Sequence, residues 1–290
     1  MSAMARSVRS YVELTKPRVL LLVIFTGLPA MTLAAGGEWP APWFAFTTLV
    51  GISLAAGAAN ALNCYIERDS DKLMERTRNR PLPAERMEPW RALVFGVTLG
   101  VVATAILWNV GGPLTAGLGL ATILFYVFVY TVWLKPRSSW NAVVGGAAGA
   151  AAPLIADAAV NGTVGPAGWI LFGIVFFWQP PHVWAIALFR KDDYARAGIP
   201  MLPAVIGDQP TRWRMLWYSV ALVPVTLAPL PLGLLGPLYG TVAAGLGLWF
   251  VWHSVRVLRE QTDEAARRMF GVSLVYLFAL FVAMLVDLAI

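Results

Sequence analysis

Cysteine and charge are both scarce in this sequence of 290 residues, and each scarcity excludes a class of protein. The single cysteine, Cys64, excludes an internal disulfide and any zinc site built from cysteines. Charged residues make up 13% of the chain and hydrophobic residues 58%, which is far too apolar for an ordinary soluble domain. The composition indicates an integral membrane protein that crosses the bilayer several times.

Long apolar runs predict an all-α, polytopic membrane protein. A helix needs about 20 apolar residues to cross the ~30 Å of hydrocarbon in a bilayer. Nine such runs are present, at 17–36, 42–62, 91–109, 114–134, 140–157, 168–188, 213–235, 238–256 and 270–289. The connections between them are short and rich in Gly, Pro and Asn, so we expect residues 1–290 to form one transmembrane domain. No small-residue cleavage site follows the first run, which favours a retained helix over a cleaved signal peptide.

The basic residues all lie on one side of the predicted bundle. With nine spans, all 22 Lys and Arg residues belong to the N-terminal segment or to the loops after the second, fourth, sixth and eighth helices. The positive-inside rule then predicts a multi-pass protein of the inner or plasma membrane, with a cytoplasmic N-terminus and an outer C-terminus. The net charge of +6 therefore reflects topology. The lipid bilayer is the expected partner of these charges, and nucleic acid is not.

The loop after the second helix carries an unusual pattern of charge. Asn63, Glu67 and Asp71 are spaced four apart, which places them on one stripe of a helix. Oxygen ligands on such a stripe suit a hard cation such as Mg²⁺, and the arginines that follow, Arg76 and Arg80, suit phosphate. Together they predict a diphosphate site. The alternative is a solvated loop that anchors to anionic lipid.

A second charged loop on the same face contains Lys191, Asp192, Asp193 and Tyr194, and Lys135 adds another base after the fourth helix. Alone, this second loop gives little indication of a phosphate site. Lys135 on its own is explained equally well as a basic residue that sets the membrane topology. We nevertheless expect the loops at 63–90 and 189–212 to form the active-site face together.

His182 lies within the sixth apolar run, behind a pair of prolines. An ionisable residue at membrane depth calls for a reason. It is consistent with a tetrapyrrole iron ligand, a proton donor or a hydrogen-bonded packing residue, and the residues alone favour packing.

Several stretches together resemble a known family. The pattern at 63–71, followed by the arginine-rich segment at 76–82, resembles the first signature of the UbiA superfamily of intramembrane prenyltransferases. The stretches at 130–135, 141–149, 178–182 and 193–203 are similar to the branch of that superfamily that farnesylates protohaem. The resemblance runs from about residue 11 to the C-terminus.

This resemblance implies a nine-helix bundle with a central cavity, farnesyl diphosphate as donor and haem b as acceptor. It implies Mg²⁺ on Asn63, Glu67 and Asp71, with Asp192 and Asp193 as candidate further ligands. It also implies a leaving group neutralised by Arg76, Arg80, Lys135 and Lys191, with Lys191 and Tyr194 contacting haem or diphosphate and His182 seating the haem iron. The aromatic candidates for stabilising an allylic cation are Tyr65, Tyr130, Trp133 and Tyr194. Haem-handling membrane proteins are possible partners.

Two departures from the superfamily pattern matter. Glu67 stands where the family usually has Asp, which lengthens the reach of the carboxylate by one methylene. The second spaced acidic pair of the superfamily is absent, because Asp192 and Asp193 are adjacent. The alternatives are a prenyltransferase with a quinone-precursor or chlorophyllide acceptor, which should show that spaced pair, and a transporter of anionic lipids, which inverted-repeat symmetry would favour. A structural assembly factor is a third option, which the helically spaced acids disfavour.

Overall fold

The computed structural model describes residues 3–290, with side chains described from Ser7 onward, so the side chain of the N-terminal base Arg6 lies outside the described residues. Within that range the chain is a bundle of helices with no β-strand. A π-helical segment, Phe125–Leu134, follows α5 directly. The α-helices are α1 (Ala3–Leu14), α2 (Pro17–Ala34), α3 (Pro42–Ile66), α4 (Arg68–Lys72), α5 (Pro89–Leu124), α6 (Asn141–Val144), α7 (Gly146–Gly149), α8 (Ala152–Asn161), α9 (Pro166–Phe189), α10 (Lys191–Arg196), α11 (Leu202–Ile206), α12 (Asp208–Leu227), α13 (Pro237–Glu260) and α14 (Asp263–Leu288).

By length and hydropathy, seven segments of the described chain qualify as membrane spans, whereas the sequence predicted nine. Part of the difference is that α5 and the π-helical segment count as one span of 46 residues, Pro89–Leu134. A straight helix of that length would rise about 69 Å, more than twice the thickness of the hydrocarbon core.

The chain in fact turns back within this long segment. Gly112 has φ 75° and ψ −167°, a non-helical conformation, and Pro113 follows it. A methyl group at Gly119 would contact Leu107 at 2.5 Å, and one at Gly100 would lie 3.7 Å from the Ile123 side chain. Residues 12 and 23 positions apart are adjacent only if the two halves run antiparallel. Pro89–Leu134 is therefore a helical hairpin that turns at Gly112.

The remaining difference lies at α12. This helix spans Asp208–Leu227. Three charged residues in its first two turns, Asp208, Arg212 and Arg214, make it too polar to count among the seven membrane spans. It ends at Leu227 and not at residue 235 as predicted, because Pro229 and Pro231 follow and lack the N–H groups that a helix would need.

The site lies between two groups of packed helices. In one group α3 packs on α5, and α2 on α8; in the other, α9, α12, α13 and α14 pack on one another. Helix α9 also contacts α8 and α2, so it joins the groups. The fifth predicted span is broken into α6, α7 and α8, and 67% of that span is buried, against 56% for α3, 50% for α9 and 33% for α13. Helix α3 and the fifth predicted span therefore lie in the interior of the bundle.

Candidate active site

Asn63, Glu67 and Asp71 share one helical stripe, as their spacing predicted. The backbone N–H of Glu67 donates to the Asn63 carbonyl at 2.9 Å, and the N–H of Asp71 donates to the Glu67 carbonyl at 2.8 Å. These bonds continue the helical rise from α3 into α4, so the side chains lie one above another. Asn63 is 1% exposed and Asp71 3%. The stripe therefore faces the protein interior.

Each carboxylate of this stripe is paired with a base from another segment. Lys135 Nζ donates to Glu67 Oε1 at 2.5 Å, and Arg80 donates to Asp71 Oδ2 at 2.7 Å. The π-helical segment positions Lys135, whose backbone N–H donates to the Tyr130 carbonyl five residues earlier. Removing one partner of a buried ion pair costs about 3–5 kcal/mol, so each base stabilises the position of its acid.

The surrounding charges set the ionisation of this cluster. Burial alone would raise the pKa of Glu67, but the charges of Lys135 and Lys16 outweigh burial and lower that pKa below its ordinary value. Burial would lower the pKa of Arg80, but the Asp71 carboxylate outweighs burial and raises it. Both groups therefore stay ionised at neutral pH.

Lys16 is a member of the cluster that the sequence did not single out. Its Nζ donates to Asn63 Oδ1 at 2.8 Å, and Asn63 Nδ2 donates to Thr131 Oγ1 at 3.1 Å. Lys16 has φ 54° and precedes Pro17, the first residue of α2. Burial lowers the pKa of its amine. In the sequence, Lys16 was interpreted only as one of the basic residues that set the topology. Its position directly before the proline that begins a membrane helix was the one feature that could have marked it as a site residue.

The two charged loops meet, which brings part of the second loop to the site. Asp193 Oδ1 accepts the backbone N–H of Glu75 at 3.3 Å, and Asp193 is 4% exposed. Arg196 also pairs with Asp193 Oδ1, while Asp193 Oδ2 is buried with no hydrogen-bond partner among the described residues. The guanidinium of Arg76 lies 6.0 Å from the centre of the Tyr194 ring. Asp193, Tyr194 and Arg76 thus form one patch beside the stripe.

Two other residues of the second loop lie apart from the cluster. Asp192 is exposed, and Lys191 pairs with Asp208 at the start of α12, with Nζ 2.7 Å from Oδ2. Within the described part of the chain, no three or more His, Cys, Asp or Glu side chains are grouped to hold a metal. The metal role of Asp192 and the ligand role of Lys191 stay predictions.

A cavity of about 210 Å³ opens beside the cluster, among α2, α3, the π-helical segment, α6 to α8 and α9. Tyr126 and Tyr130 line it, with ring centroids 5.0 Å apart in a stacked arrangement. Lys135 Nζ lies 5.8 Å from the Tyr130 ring centre, so Tyr130 connects the cavity to the charges. None of the described residues that line this cavity is charged. The arrangement suits an apolar chain with a charged head.

The other aromatic candidates lie elsewhere. Trp133 is 61% exposed on the outside of the bundle, and Tyr65 packs in a separate small core, with the Arg68 guanidinium 4.9 Å from its ring centre. Of the four candidates for cation stabilisation, Tyr130 lines the cavity, and Tyr194 lies in the patch beside the stripe.

His182 faces α14. Its Nδ1 is 2.7 Å from Ser273 Oγ, and its ring stacks on Trp178 with centroids 4.5 Å apart. The residues of α9 that line the cavity are Gln179 and Val183. The structure thus gives His182 a packing contact between α9 and α14, and its predicted role as a haem ligand stays a prediction.

The sequence of residues 21–285 matches the UbiA prenyltransferase family. The chain belongs to the UbiA prenyltransferase family. It is an integral, multi-pass membrane protein, as membership of this family and its long apolar helices indicate.

Curated relatives of this UbiA-family chain cover nearly all of it. It is 49% identical over 282 residues to a protoheme IX farnesyltransferase of Symbiobacterium thermophilum, covering 97% of this chain and 94% of the relative. It is 45% identical over 285 residues to a protoheme IX farnesyltransferase of Gloeobacter violaceus, covering 98% of this chain and 93% of the relative.

Solved structures confirm the UbiA fold. A structure of a digeranylgeranylglyceryl phosphate synthase superposes with a TM-score of 0.81 at 16% identity, covering 97% of this chain and 98% of the other. A UbiA homologue of Archaeoglobus fulgidus, bound to DMAPP and Mg²⁺, superposes with a TM-score of 0.67 at 15% identity, covering 95% of this chain and 99% of the other.

Proposed function

We propose that this chain transfers the farnesyl group of farnesyl diphosphate to a vinyl group of haem b, releasing diphosphate. The observation that carries the proposal is the cluster of buried ion pairs beside an uncharged cavity inside a membrane bundle. Such a site accommodates a diphosphate and an apolar prenyl chain in one molecule. The choice of farnesyl and haem rests on the relatives named protoheme IX farnesyltransferase.

The acids of the site fit Mg²⁺ by their chemistry. Mg²⁺ is usually held by one or two carboxylates together with the phosphates of a substrate, and Glu67 and Asp71 supply two carboxylates on one buried stripe. The buried Oδ2 of Asp193, which accepts no hydrogen bond and lies 3.8 Å from an Arg190 nitrogen, is a further oxygen ligand on the facing loop. When bound, the metal neutralises charge on the departing diphosphate. Asn63 Oδ1 already accepts Lys16, so Asn63 is the least available of the proposed ligands.

The bases of the site change partners when a diphosphate arrives. Lys135 and Arg80 neutralise Glu67 and Asp71 in the substrate-free protein. Diphosphate oxygens offer the same bases charge-assisted hydrogen bonds. In that position Lys135, Arg80 and the exposed Arg76 stabilise the negative charge that develops as the bond between carbon and oxygen breaks.

The aromatic cavity wall stabilises the other product of that bond cleavage. The allylic cation forms next to Tyr130, whose ring face attracts positive charge, and Tyr126 extends the aromatic surface. A vinyl group of haem b then attacks the cation, and water adds to the resulting carbocation, giving a hydroxyethylfarnesyl side chain.

The proposed orientation places both charged loops in the cytoplasm, with the N-terminus inside and the C-terminus outside. All 22 Lys and Arg residues then lie on the inner face, as the positive-inside rule requires. Haem-handling membrane proteins are proposed as partners, because the proposed acceptor is haem.

The decisive experiment incubates the purified protein with farnesyl diphosphate, Mg²⁺ and haem b, and looks for a farnesylated haem by mass spectrometry. We expect that product, together with stoichiometric diphosphate. Turnover of an aromatic quinone precursor in place of haem would overturn the assignment of the acceptor. Asp71→Ala should abolish diphosphate release while the protein still inserts in the membrane, and retained activity would show that the metal site is elsewhere.

A further inference from the structure

Two amide side chains line the central cavity with atoms that no described protein group satisfies. Asn141, the first residue of α6, is 2% exposed, and its Nδ2 has no hydrogen-bond partner. Gln179 lies on α9, and its Oε1 is buried and also without a partner. Both residues line the same cavity. Because an unsatisfied buried polar atom costs about 1–3 kcal/mol, a donor and an acceptor left open in one cavity indicate a small polar ligand.

The backbone near these amides is built to leave them room. A methyl group at Gly149 would collide with the Gln179 amide, and one at Gly145 would collide with the Tyr130 ring. Gly145 and Gly149 therefore leave room for the Tyr130 ring and the Gln179 amide on the cavity wall. The amides lie near the ring that connects the cavity to the diphosphate site.

The polar groups that line the cavity restrict the chemical class of the ligand. A free N–H donor and a free carbonyl acceptor together suit a group that both accepts and donates, which is water or a hydroxyl. An anion offers acceptors only and would leave Gln179 Oε1 unsatisfied. The described residues lining the cavity also include no Asp, Glu, Lys, Arg or His, so none of these side chains is present there to take a proton from carbon.

We propose that Asn141 and Gln179 hold the water molecule that ends the reaction, an inference that rests on the proposed farnesyl transfer to haem. Attack by the vinyl group forms one carbon–carbon bond and leaves a positive charge on the vinyl carbon next to the porphyrin. Gln179 Oε1 accepts one O–H of the water, and Asn141 Nδ2–H occupies one lone pair of its oxygen. The other lone pair forms the new carbon–oxygen bond, and one proton of the resulting oxonium passes to the released diphosphate. Without this water the cation would lose a proton and give an alkene instead.

The experiment runs the reaction of the purified protein with farnesyl diphosphate, Mg²⁺ and haem b in heavy-oxygen water, and resolves the products by mass spectrometry. The variants are Asn141→Leu and Gln179→Met, which keep approximate side-chain size and remove the free donor and the free acceptor. The matched controls are Asn109→Leu and Gln209→Met, at exposed positions outside the cavity lining. Release of diphosphate is measured in parallel.

We expect the unmodified protein to incorporate one heavy oxygen into the farnesylated haem. In either variant the hydroxylated share of the product should fall about tenfold, the effect of one lost hydrogen bond, and an alkene lighter by one water should take its place. Diphosphate release should continue, and the controls should match the unmodified protein.

Three results would overturn the inference and leave farnesyl transfer standing. These are an unchanged hydroxylated share in both variants, loss of diphosphate release in both variants, and farnesylated haem from the unmodified protein without heavy oxygen. An unmodified protein that yields no farnesylated haem would defeat the proposed function and this inference together.

Discussion

Glu67 is ion-paired with Lys135, with Oε1 2.5 Å from Nζ. Glu67→Gln removes the charge and leaves the Lys135 ammonium buried without a counter-ion. We expect the rate of diphosphate release at saturating Mg²⁺ to fall about a hundredfold, as for loss of one preorganised electrostatic group. Glu67→Asp keeps the charge but withdraws it from Lys135, so its rate should fall by a smaller factor. A Glu67→Asp variant slower than Glu67→Gln would show that reach matters more than charge.

Lys16 provides a second test, because its amine is a base inside the cluster whose present partner, Asn63 Oδ1, is neutral. Lys16→Met should raise the KM for farnesyl diphosphate about tenfold or more, the cost of one hydrogen bond to a charged group. Arg18→Met is the matched control, since Arg18 is an exposed base two residues away. Equal KM values for the two variants would show that Lys16 does not belong to the proposed diphosphate site.

The sequence predicted that Asn63, Glu67 and Asp71 share a stripe, but it did not predict that Lys16 contacts Asn63. Helical spacing alone decides which side chains share a face, so Asn63, Glu67 and Asp71 follow from counting. The contact of Lys16 with Asn63 joins residues 47 positions apart, and it depends on how α2 packs against α3. The exposed position of Trp133 likewise depends on the rotation of the π-helical segment, which no spacing rule reveals.

Two aspartates outside the charged cluster position whole helices. Asp157 Oδ2 accepts the backbone N–H groups of Gly165 and Gly168 at 2.8 and 2.9 Å, and Oδ1 accepts Asn161 Nδ2 at 2.8 Å. It thereby caps the N-terminus of α9, the helix that carries Gln179. Asp287 does the same for α13, accepting from Tyr239 N at 3.0 Å. A carboxylate suits these positions because the first N–H groups of a helix have no partner within the helix.

Loss of the Asp157 cap should destabilise the protein. We expect Asp157→Ala to lower the free energy of unfolding by about 2 kcal/mol, the upper range for a lost N-terminal cap, and to lower the Tm measured in detergent. Asp69→Ala is the control, since the Asp69 side chain is 77% exposed. An Asp157→Ala variant as stable as the control would mean that water replaces the cap without cost.

Glu13 fastens α1 to the first charged loop, with Oε2 2.6 Å from an Arg86 nitrogen and Oε1 2.8 Å from Arg9 Nε. The hydrogen bond from Arg86 outweighs burial and lowers the pKa of Glu13 below its ordinary value. A lowered folded-state pKa contributes stability that is present above the ordinary pKa and lost as the pH falls through the folded-state pKa. The Tm of the unmodified protein should therefore exceed that of Glu13→Gln at neutral pH, and the gap should close on acidification. A gap that widens in acid would contradict the assigned sign.

The helical hairpin at Gly112 shows how far an element could be predicted. Glycines and a proline at 111–113 marked a break, so two spans were expected there, and the contact between residues 107 and 119 confirms that the chain turns. The fragmentation of the fifth span into α6, α7 and α8 was not predictable. Small residues such as those at 145–149 are compatible with a continuous helix, and their close approach to Tyr130 and Gln179 depends on tertiary packing that the sequence does not reveal.

Across the whole molecule, the charged cluster and the uncharged cavity follow one another along the bundle. The ion-paired cluster lies where α3 ends, and the uncharged cavity lies beside it among the membrane helices. The capping aspartates Asp157 and Asp287 both lie at the other end of the bundle, where α9 and α13 begin. A substrate with a charged head and an apolar tail is therefore bound in one orientation only. The sequence predicted this polarity, because all its bases fall in alternate loops once the spans are correctly counted.

Vesicle labelling tests both the orientation and the count of spans. The sole cysteine, Cys64, is buried, so a Cys64→Ala background accepts single reporters at the exposed positions Ala84, Asn109 and Thr163. With a membrane-impermeant maleimide, Ala84→Cys should react in inside-out vesicles only. Asn109→Cys and Thr163→Cys should react in right-side-out vesicles only, since each lies one or more complete spans away from the inner face.

The reporter at Asn109 discriminates most sharply, because it lies three residues before Gly112. If Pro89–Leu134 crossed the bilayer once as a continuous helix, residue 109 would lie within the hydrocarbon and would react in neither preparation. Reaction of Asn109→Cys on the same side as Ala84→Cys would rule out a membrane-spanning hairpin. If all three positions reacted from the opposite sides, the hairpin would stand but the orientation of the protein would be inverted. The proposed diphosphate site would then lie on the outer face, which contradicts the positive-inside rule.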